Sequence, residues 1–168
     1  GDTCVLVTGD RDSFQLVCDG VTMRYVSTRM GRTDTVLYDS LQLELDYGVT
    51  PPQFIEVKAL MGDASDNIPG VKGIGEKTAK NLLLEFGSLD GVYENLESKV
   101  IKPKQRENLT NFKDDAYLSF DLATIRPNAP IEFDPLDAVV RPYNQQELYN
   151  LFVRLEFVKL IDKYHLRG

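Results

Sequence analysis

The chain is poor in the residues that build soft metal centres and disulfide scaffolds. Its 168 residues include one histidine, His165, and two cysteines, Cys4 and Cys18. A single histidine without a second soft ligand nearby does not make a zinc site, so we expect a structural or surface role for His165. Two thiols in a chain of this size favour a reducing compartment. Because Cys4 falls in an apolar run, we expect it to be a buried free thiol.

Long hydrophobic runs are also missing. No apolar stretch approaches the roughly 20 residues that cross a bilayer, and no charged-then-apolar leader is visible at the start. We therefore expect a cytoplasmic protein without a membrane partner. The chain begins with Gly1 and Asp2 rather than methionine, and its first predicted element follows at once. We expect it to be a piece of something longer.

An overall excess of positive charge, which nucleic-acid binders often carry, is absent as well. The formal net charge is −7. The charge is unevenly distributed, because residues 69–113 carry a net +2, whereas residues 1–68 carry −6 and residues 114–168 carry −3. Positive charge is thus concentrated in one segment, where a phosphate-binding site would need it.

The hydrophobic pattern predicts an α/β start. Residues 3–7 are a short apolar run that predicts a buried strand of the parallel-sheet kind. A turn or short helix is expected over residues 12–17. Residues 21–27 alternate and predict a second strand, with residues 36–38 pairing beside it.

Helical periodicity takes over from residue 39, so the predicted fold class is α/β passing to mostly α. The predicted helices are 40–46 capped by Asp39 or Ser40 and ended by Gly48, 50–61 with Thr50 as N-cap, 76–86, 88–96, one or two helices over 104–123, and a final helix capped by Asn144 and running through Ile161. The proline-rich residues 126–142 are expected to be extended.

Two pairs of aspartates stand in turn contexts beside glycine. Asp10 and Asp12 follow the first predicted strand, at the carboxyl end where open α/β sheets bind ligands. Asp63 and Asp66 are three residues apart and share a face if the backbone is helical or turn-like. All four are oxygen donors, a set that suits Mg²⁺ or Mn²⁺ and disfavours Zn²⁺. Taken singly each could cap a helix, but the two pairs together favour a metal site.

A glycine-punctuated hairpin, Gly70–Gly75, lies between two predicted helices. Its glycines permit positive φ and close backbone approach to a partner, and Ile74 is expected to pack beneath the turn. The backbone amides at the start of the following helix favour an anion. Three lysines would add charge on that side: Lys72, Lys77 and Lys80. It is not a P-loop, which needs G-x-x-x-x-G-K-[ST] after a strand. The alternative is a glycine-rich interhelical turn without a ligand.

Four stretches carry a resemblance to a known family. They are Thr8-Gly-Asp-Arg-Asp-Ser-Phe-Gln-Leu16, Tyr47-Gly-Val-Thr-Pro51, residues 58–79 and Phe86-Gly-Ser88, with support from residues 122–125 and 154–157. They closely resemble the 5′-nuclease domain at the amino end of bacterial DNA polymerase I, which belongs with the flap endonucleases. The resemblance covers nearly all of the chain.

The resemblance implies a metal site and a DNA-binding element. Its active-site metal ligands would be Asp10, Asp12, Asp63 and Asp66, which would hold two Mg²⁺ or Mn²⁺ ions in the complete site. The hairpin would be the helix–hairpin–helix element, the helix–three-turn–helix of this family, which grips duplex DNA. The DNA-binding residues would be Gly70, Lys72, Gly73, Gly75, Lys77, Thr78 and Lys80. Backbone carbonyls of Val71 and Ile74 would hold a K⁺ ion against a phosphate.

The resemblance also implies a reaction and a missing portion. The reaction is hydrolysis of DNA phosphodiesters near the 5′ end of a flap or nicked duplex, in replication and repair. Family members carry a further N-terminal portion with more metal-binding acids and a helical arch. We therefore expect this chain alone to bind DNA with little activity. Its partners would be DNA, the N-terminal nuclease half and a C-terminal polymerase region of the parent chain.

Three regions are expected on this basis. Residues 1–62 would be a partial α/β nuclease core with half of the metal site, residues 63–125 the DNA-binding region, and residues 126–168 an extended segment with a C-terminal helix packing back. The main alternative is a non-catalytic helix–hairpin–helix module that binds duplex DNA. A small-molecule metal-dependent hydrolase would leave the hairpin lysines unexplained.

Overall fold

The computed structural model describes residues 3–167. The chain divides into two compact units, with the boundary between Pro127 and Asn128. Gly1, Asp2 and Gly168, which end the predicted regions 1–62 and 126–168, lie outside the described residues. The division into three regions stays a prediction.

A three-stranded sheet opens the first unit. It consists of β1 (Cys4–Thr8), β2 (Val21–Arg29) and β3 (Arg32–Tyr38), in that spatial order. β1 runs parallel to β2, with Cys4 opposite Val21, whereas β2 and β3 form an antiparallel hairpin with Met23 opposite Tyr38. The sheet is therefore mixed, and its third strand is longer than predicted. A 3₁₀ helix, Arg11–Leu16, connects β1 to β2.

The prediction that β1 is buried is wrong. Val5 and Val7 are 51% and 66% exposed, and Cys4, expected to be a buried thiol, is an exposed free cysteine. The physical reason is position, because β1 is the edge strand of this sheet and only β2 pairs with it among the described residues. Its apolar sequence is that of a strand covered on both faces, but the described part of the chain does not cover it.

Helices make up the rest of the first unit. In the described residues they are α1 (Ser40–Tyr47), α2 (Gln53–Met61), α3 (Glu76–Phe86), α4 (Leu89–Glu94), α5 (Pro103–Asn111) and α6 (Lys113–Ala123). The predicted bounds of α3 are confirmed, as is the cap of α1, where the Asp39 carboxylate accepts from the Gln42 amide at 2.8 Å. The predicted α/β to mostly helical fold class is confirmed.

The predicted N-cap at Thr50 is wrong. α2 begins at Gln53, and Pro52 occupies the cap position without a side-chain cap hydrogen bond. The Thr50 amide instead donates to Oε1 of Gln53 at 3.0 Å. The Gln53 side chain thus accepts a hydrogen bond from the backbone just before the helix. The fixed φ of Pro51 and Pro52 holds the chain in a turn there.

Two apolar clusters hold the first unit together. The sheet cluster consists of Phe14, Val17, Met23, Tyr38 and Leu43. The helical cluster includes Val57, Leu60, Val71, Ile74, Leu83 and Leu109. Tyr47 and Phe54 pack against both clusters, and their rings lie 5.1 Å apart in an edge-to-face arrangement. Tyr47 of α1 and Phe54 of α2 therefore join the sheet to the other helices of the first unit.

The second unit is described by itself. It contains a 3₁₀ helix (Pro135–Ala138), α7 (Gln145–Arg154) and α8 (Val158–Lys163). Asn144 caps α7 as predicted, by accepting from the amides of the first turn at 3.1 and 3.2 Å. A single helix through Ile161 is wrong, because Glu156 takes a left-handed φ of 57°. The Phe157 amide then closes α7 by donating to the carbonyl of Phe152 at 2.9 Å.

Across residues 3–167, no helix combines the length and the apolar character that crossing a membrane requires.

Candidate metal centre and phosphate-binding hairpin

A cleft of about 700 Å³ opens in the first unit. Its walls are the start of the 3₁₀ helix, one face of α2, the loop after α2 and the first turns of α3. The charged residues that line it are Asp10, Asp12, Asp63, Asp66, Glu76, Arg11, Lys58 and Lys80. All four predicted metal ligands therefore line one cleft, although fifty residues separate the two pairs in the sequence.

The ammonium of Lys58 stands where three of these carboxylates converge. Its Nζ lies 2.6 Å from Oδ1 of Asp12, 2.9 Å from Oδ2 of Asp63 and 3.1 Å from Oδ2 of Asp66. The lysine side chain is only 12% exposed, so these ion pairs are shielded from solvent on the lysine side. Lys58 lies on α2, on the same face as Phe54, Val57 and Met61, which also line the cleft.

The contacts shift the pKa values of both partners. Burial opposes the charged form of Lys58, but its hydrogen bonds to Asp12, Asp63 and Asp66 outweigh burial and raise the pKa of the ammonium above its ordinary value. The same ammonium, followed by the Ser65 hydroxyl, lowers the pKa of Asp63 well below its usual range. At neutral pH the site therefore holds a protonated lysine and an ionised aspartate.

The loop after α2 fixes the position of Asp63. Its backbone amide donates to the carbonyl of Ile68 at 2.9 Å, and the Ile68 amide donates back at 2.8 Å, so the loop closes on itself. The backbone amide and hydroxyl of Ser65 both donate to Oδ1 of Asp63, at 2.8 and 2.5 Å. One carboxylate oxygen is thus held by the loop, and the other faces Lys58.

Asp10 and Asp12 are positioned by the 3₁₀ helix that follows β1. Asp10 is its N-cap and accepts from the Asp12 amide at 3.0 Å, so Asp10 lines the cleft while it caps. Gln15 ties this turn to the end of α6, because its amide nitrogen donates to the carbonyls of Asp12 and Ala123 at 2.9 and 3.0 Å. Its Oε1 in turn accepts from the Ile125 amide at 2.8 Å.

The donor set fits a hard divalent cation in its chemistry, because it offers only carboxylate oxygens around one point. As the side chains stand, no group of three or more His, Cys, Asp or Glu residues within 3–167 is arranged to hold a metal ion. The Lys58 ammonium lies at the point where Asp12, Asp63 and Asp66 converge. In this structure the cation at that point is the protein's own.

The hairpin begins at a close crossing of two backbone segments. Gly70 has a φ of 62°, and a Cβ placed there would overlap the backbone nitrogen of Gly62 and lie 2.6 Å from the carbonyl carbon of Met61. The Gly70 amide donates to the buried Ser119 hydroxyl at 2.9 Å, and that hydroxyl donates to the carbonyl of Asp115 at 2.6 Å. Only glycine fits at this crossing. Ser119 of α6 contacts it through the hydrogen bond from the Gly70 amide.

The predicted hairpin residues divide into buried and exposed positions. Val71 and Ile74 are buried in the helical cluster, and the Ile74 amide donates to the Val71 carbonyl at 3.0 Å within the turn. Lys72 is exposed, as is Gly73, whose φ is 82°. The turn therefore anchors its apolar side chains in the core and presents its backbone and one lysine outward.

The start of α3 joins the hairpin to the cleft. Gly75 occupies the N-cap position without a side-chain cap, so the first-turn amides of the helix are left for another acceptor. Lys77 and the half-buried Thr78 lie in this first turn, and Lys77 is exposed. Lys80 lines the cleft and pairs with Glu76 at 2.7 Å. Lys80 therefore lies in the cleft, whereas Lys72 and Lys77 are exposed on the hairpin and on the first turn of α3.

Sequence reasoning missed two cleft residues, Lys58 and Arg11. Lys58 did carry a signal, because it is the lone Lys or Arg between Arg32 and Lys72, a stretch with seven acids. The Arg11 guanidinium lies 5.9 and 5.7 Å from the ring centroids of Tyr25 and Tyr47. The neighbouring Tyr25 contributes most to raising the pKa of Arg11 above its ordinary value. Nothing in the local sequence indicates that these tyrosines come together.

The first unit thus combines a small sheet, packed helices and a carboxylate cleft beside a glycine hairpin. A family model described as 5′-3′ exonuclease, C-terminal SAM fold, matches residues 49–146, which is more than half of the chain. The chain belongs to this family.

Its relatives include much longer proteins. The chain is 44% identical over 162 residues to DNA polymerase I of Caldicellulosiruptor bescii and 41% identical over 156 residues to that of Bacillus subtilis. These alignments cover 96% and 93% of this chain but only 19% and 17% of the polymerases. The chain therefore spans less than a fifth of the length of these relatives.

Solved structures of a bacteriophage T5 nuclease share the fold. The T5 5′-exonuclease with bound divalent metal ions (zinc) is 31% identical, with a TM-score of 0.61. The T5 flap endonuclease in a pseudo-enzyme–product complex with DNA and metal ions is 30% identical, with the same TM-score. Both comparisons cover 73% of this chain and 43% of the T5 chain. The predicted family resemblance is confirmed.

Proposed function

We propose that this chain is part of a structure-specific 5′–3′ exonuclease, or flap endonuclease, that hydrolyses DNA phosphodiesters with two divalent metal ions in replication and repair. The observation that carries the proposal is the shared cleft. Asp12, Asp63 and Asp66 converge within 3.1 Å of one ammonium, that of Lys58, and α3 forms a wall of the same cleft after leaving the hairpin. A phosphate backbone held by the hairpin would therefore pass close to the carboxylates.

The carboxylates are the proposed metal ligands. Asp12, Asp63 and Asp66 would hold Mg²⁺ or Mn²⁺, and Asp10 would join them from the same side of the cleft. Bound divalent ions would activate water and stabilise the leaving oxygen. The chain's own contribution is to fix the ligands, through the closed loop around Asp63 and the 3₁₀ helix that carries Asp12.

The hairpin and the first turn of α3 are the proposed DNA-binding surface. Lys72 and Lys77 are exposed there and would contact phosphates, supported by the uncapped amides of the helix start and by Thr78. Gly70, Gly73 and Gly75 would let the backbone approach the duplex, and Lys80 would act from the cleft. A K⁺ ion would take the carbonyls of Val71 and Ile74. The Val71 carbonyl has a second lone pair beside its hydrogen bond to Ile74.

We propose that the parent protein is a polymerase I of the bacterial cytoplasm. The support is that curated relatives over nearly the whole chain are DNA polymerases I. Because the chain spans 43% of the T5 nuclease, the remaining metal ligands and the water-positioning groups would come from other parts of the parent. Misplaced water and phosphate cost a large part of an enzyme's rate, so this chain alone should bind DNA and hydrolyse it poorly.

The DNA-binding proposal is tested with Lys77→Ala. Loss of one phosphate contact should weaken binding to a duplex and lower the slope of log K against log salt by about one. Affinity is measured by fluorescence anisotropy on a nicked duplex over a range of salt concentrations. Lys104→Ala removes the same charge from an exposed residue on α5 that pairs with Glu107 and serves as the control. Equal slopes for all three proteins would contradict the role of the hairpin.

The catalytic proposal is tested with a 5′-flap substrate in Mg²⁺. The chain alone should release little product, and Asp63→Ala should abolish what remains. Addition of the other parts of the parent domain should restore metal-dependent cleavage of the flap. Turnover by the chain alone that matches a complete domain would contradict the proposal that its site is partial.

One observation favours a second candidate, a non-catalytic module that binds duplex DNA. Lys58 already neutralises part of the charge of the three carboxylates, so they have a counter-ion without a divalent ion. A module of this kind would bind DNA through the hairpin and show no affinity for Mn²⁺ at the cleft. Measuring Mn²⁺ binding therefore separates the two candidates.

A further inference from the structure

Lys58 is the feature of the cleft that the metal proposal does not explain. A ligand set for a divalent ion has no need of an ammonium at its centre, and a lysine there opposes a second cation. Yet Nζ lies within 3.1 Å of three different carboxylates, and its side chain is largely buried along α2. The lysine is thus built into the site.

The charges around Lys58 show what it does when no metal is present. Three ionised carboxylates that share one point repel each other, and like charges in a partly buried cleft are costly. The ammonium reduces the net charge of the group from −3 to −2 and gives each carboxylate an ion pair. Asp12, Asp63 and Asp66 thus share one counter-ion.

A divalent ion and this ammonium exclude each other. Mg²⁺ binds carboxylate oxygens at about 2.0–2.1 Å, and an ion on the oxygens that Lys58 contacts would lie against Nζ. The lysine side chain is long and flexible enough for the ammonium to move away from the carboxylates, because four methylene groups link it to the backbone. Asp63 does not depend on Lys58 alone for its position, since Ser65 and the closed loop also hold it.

We propose that Lys58 is an internal counter-ion that holds the three carboxylates in place in the metal-free protein and is displaced by the incoming divalent ion. It thereby lowers the affinity of the site for metal and prevents collapse or repulsion of the ligands before loading. Lys58 is a positioning residue in this account. The inference rests on the proposed metal site and deepens it.

The test compares Mn²⁺ affinity in the 168-residue chain and two variants, by calorimetry and by the electron paramagnetic resonance signal of free Mn²⁺. Lys58→Met keeps the length of the side chain and removes the charge. It should bind Mn²⁺ at least tenfold more tightly, a gain of about 1.4 kcal/mol. Lys80→Met removes the same charge from the same cleft, where Lys80 pairs with Glu76, and should change the affinity much less.

Thermal unfolding supplies a second readout. In EDTA, Lys58→Met should melt below the unmodified chain, because the carboxylates lose their counter-ion. With saturating Mn²⁺ its melting temperature should rise by more than that of the unmodified chain, as linkage to tighter binding requires. In a Mn²⁺-soaked crystal of the unmodified chain, Nζ should lie beyond hydrogen-bond distance of Asp63.

The outcomes separate this inference from the proposed function. Binding of Mn²⁺ that is equal or weaker in Lys58→Met, or equally enhanced in Lys80→Met, overturns the counter-ion role while the metal site stands. A soaked crystal with both Mn²⁺ and an unmoved Lys58 also overturns it. Absence of Mn²⁺ binding in the unmodified chain and in Lys58→Met overturns both the inference and the metal site.

Discussion

The close backbone contact between Gly62 and Gly70 brings the loop after α2 against the hairpin, and a substitution at Gly70 tests it most sharply. Gly70→Ala places a Cβ against the backbone of Gly62 and Met61, at a φ of 62°. The left-handed conformation costs an L-residue about 1–2 kcal/mol, and overpacking at a backbone contact that cannot yield adds about 1–3 kcal/mol. The expected loss in the free energy of unfolding is therefore about 2–5 kcal/mol.

Gly48→Ala is the matched control for this substitution. Gly48 also has a positive φ, 73°, but a Cβ there meets open space, so only the backbone cost of about 1–2 kcal/mol applies. Urea unfolding followed by circular dichroism measures both variants, with the slope against urea used to check that compactness is unchanged. A Gly70→Ala variant no less stable than Gly48→Ala would refute the close crossing.

The remaining predictions concern the buried Ser119 and the half-buried Glu56. Ser119→Ala should cost about 1–3 kcal/mol in urea unfolding, because it leaves the buried Gly70 amide without its acceptor; an unchanged midpoint would count against this contact. Burial raises the pKa of Glu56, and the hydrogen bond from the Leu89 amide only partly offsets it. When folding raises the pKa of a carboxyl, the folded protein loses stability as pH rises through that pKa. Glu56→Gln should therefore gain stability relative to the unmodified chain on going from pH 4 to pH 7, and a parallel pH profile of the two proteins would contradict this.

Much of the fold could be predicted from local signals. The caps at Asp39 and Asn144, the stop at Gly48 and the bounds of α3 all rest on short-range chemistry that the sequence displays directly. The start of α2 could not be predicted in this way, because Pro52 takes the cap position without a side-chain hydrogen bond and Gln53 accepts from the Thr50 amide instead. The break at Glu156 likewise depends on a left-handed residue that carries no glycine signal.

The candidate site shows the same division between local and tertiary information. The aspartate pairs and the glycine hairpin were visible in the sequence, since each is a compact motif. Lys58 carried only a compositional signal, because its 2.6 Å contact with Asp12 joins residues 46 apart in the sequence. The exposure of β1 was missed for a related reason, since an apolar run records the preference of a strand for burial and does not record which neighbours cover it.

The most direct test of the central claim is the location of Mn²⁺ in a crystal of this chain soaked with the metal, identified by its anomalous scattering. The account predicts a peak in the cleft, at coordination distance from carboxylate oxygens of Asp12, Asp63 and Asp66. A fully soaked crystal with no anomalous peak at these three residues would contradict it.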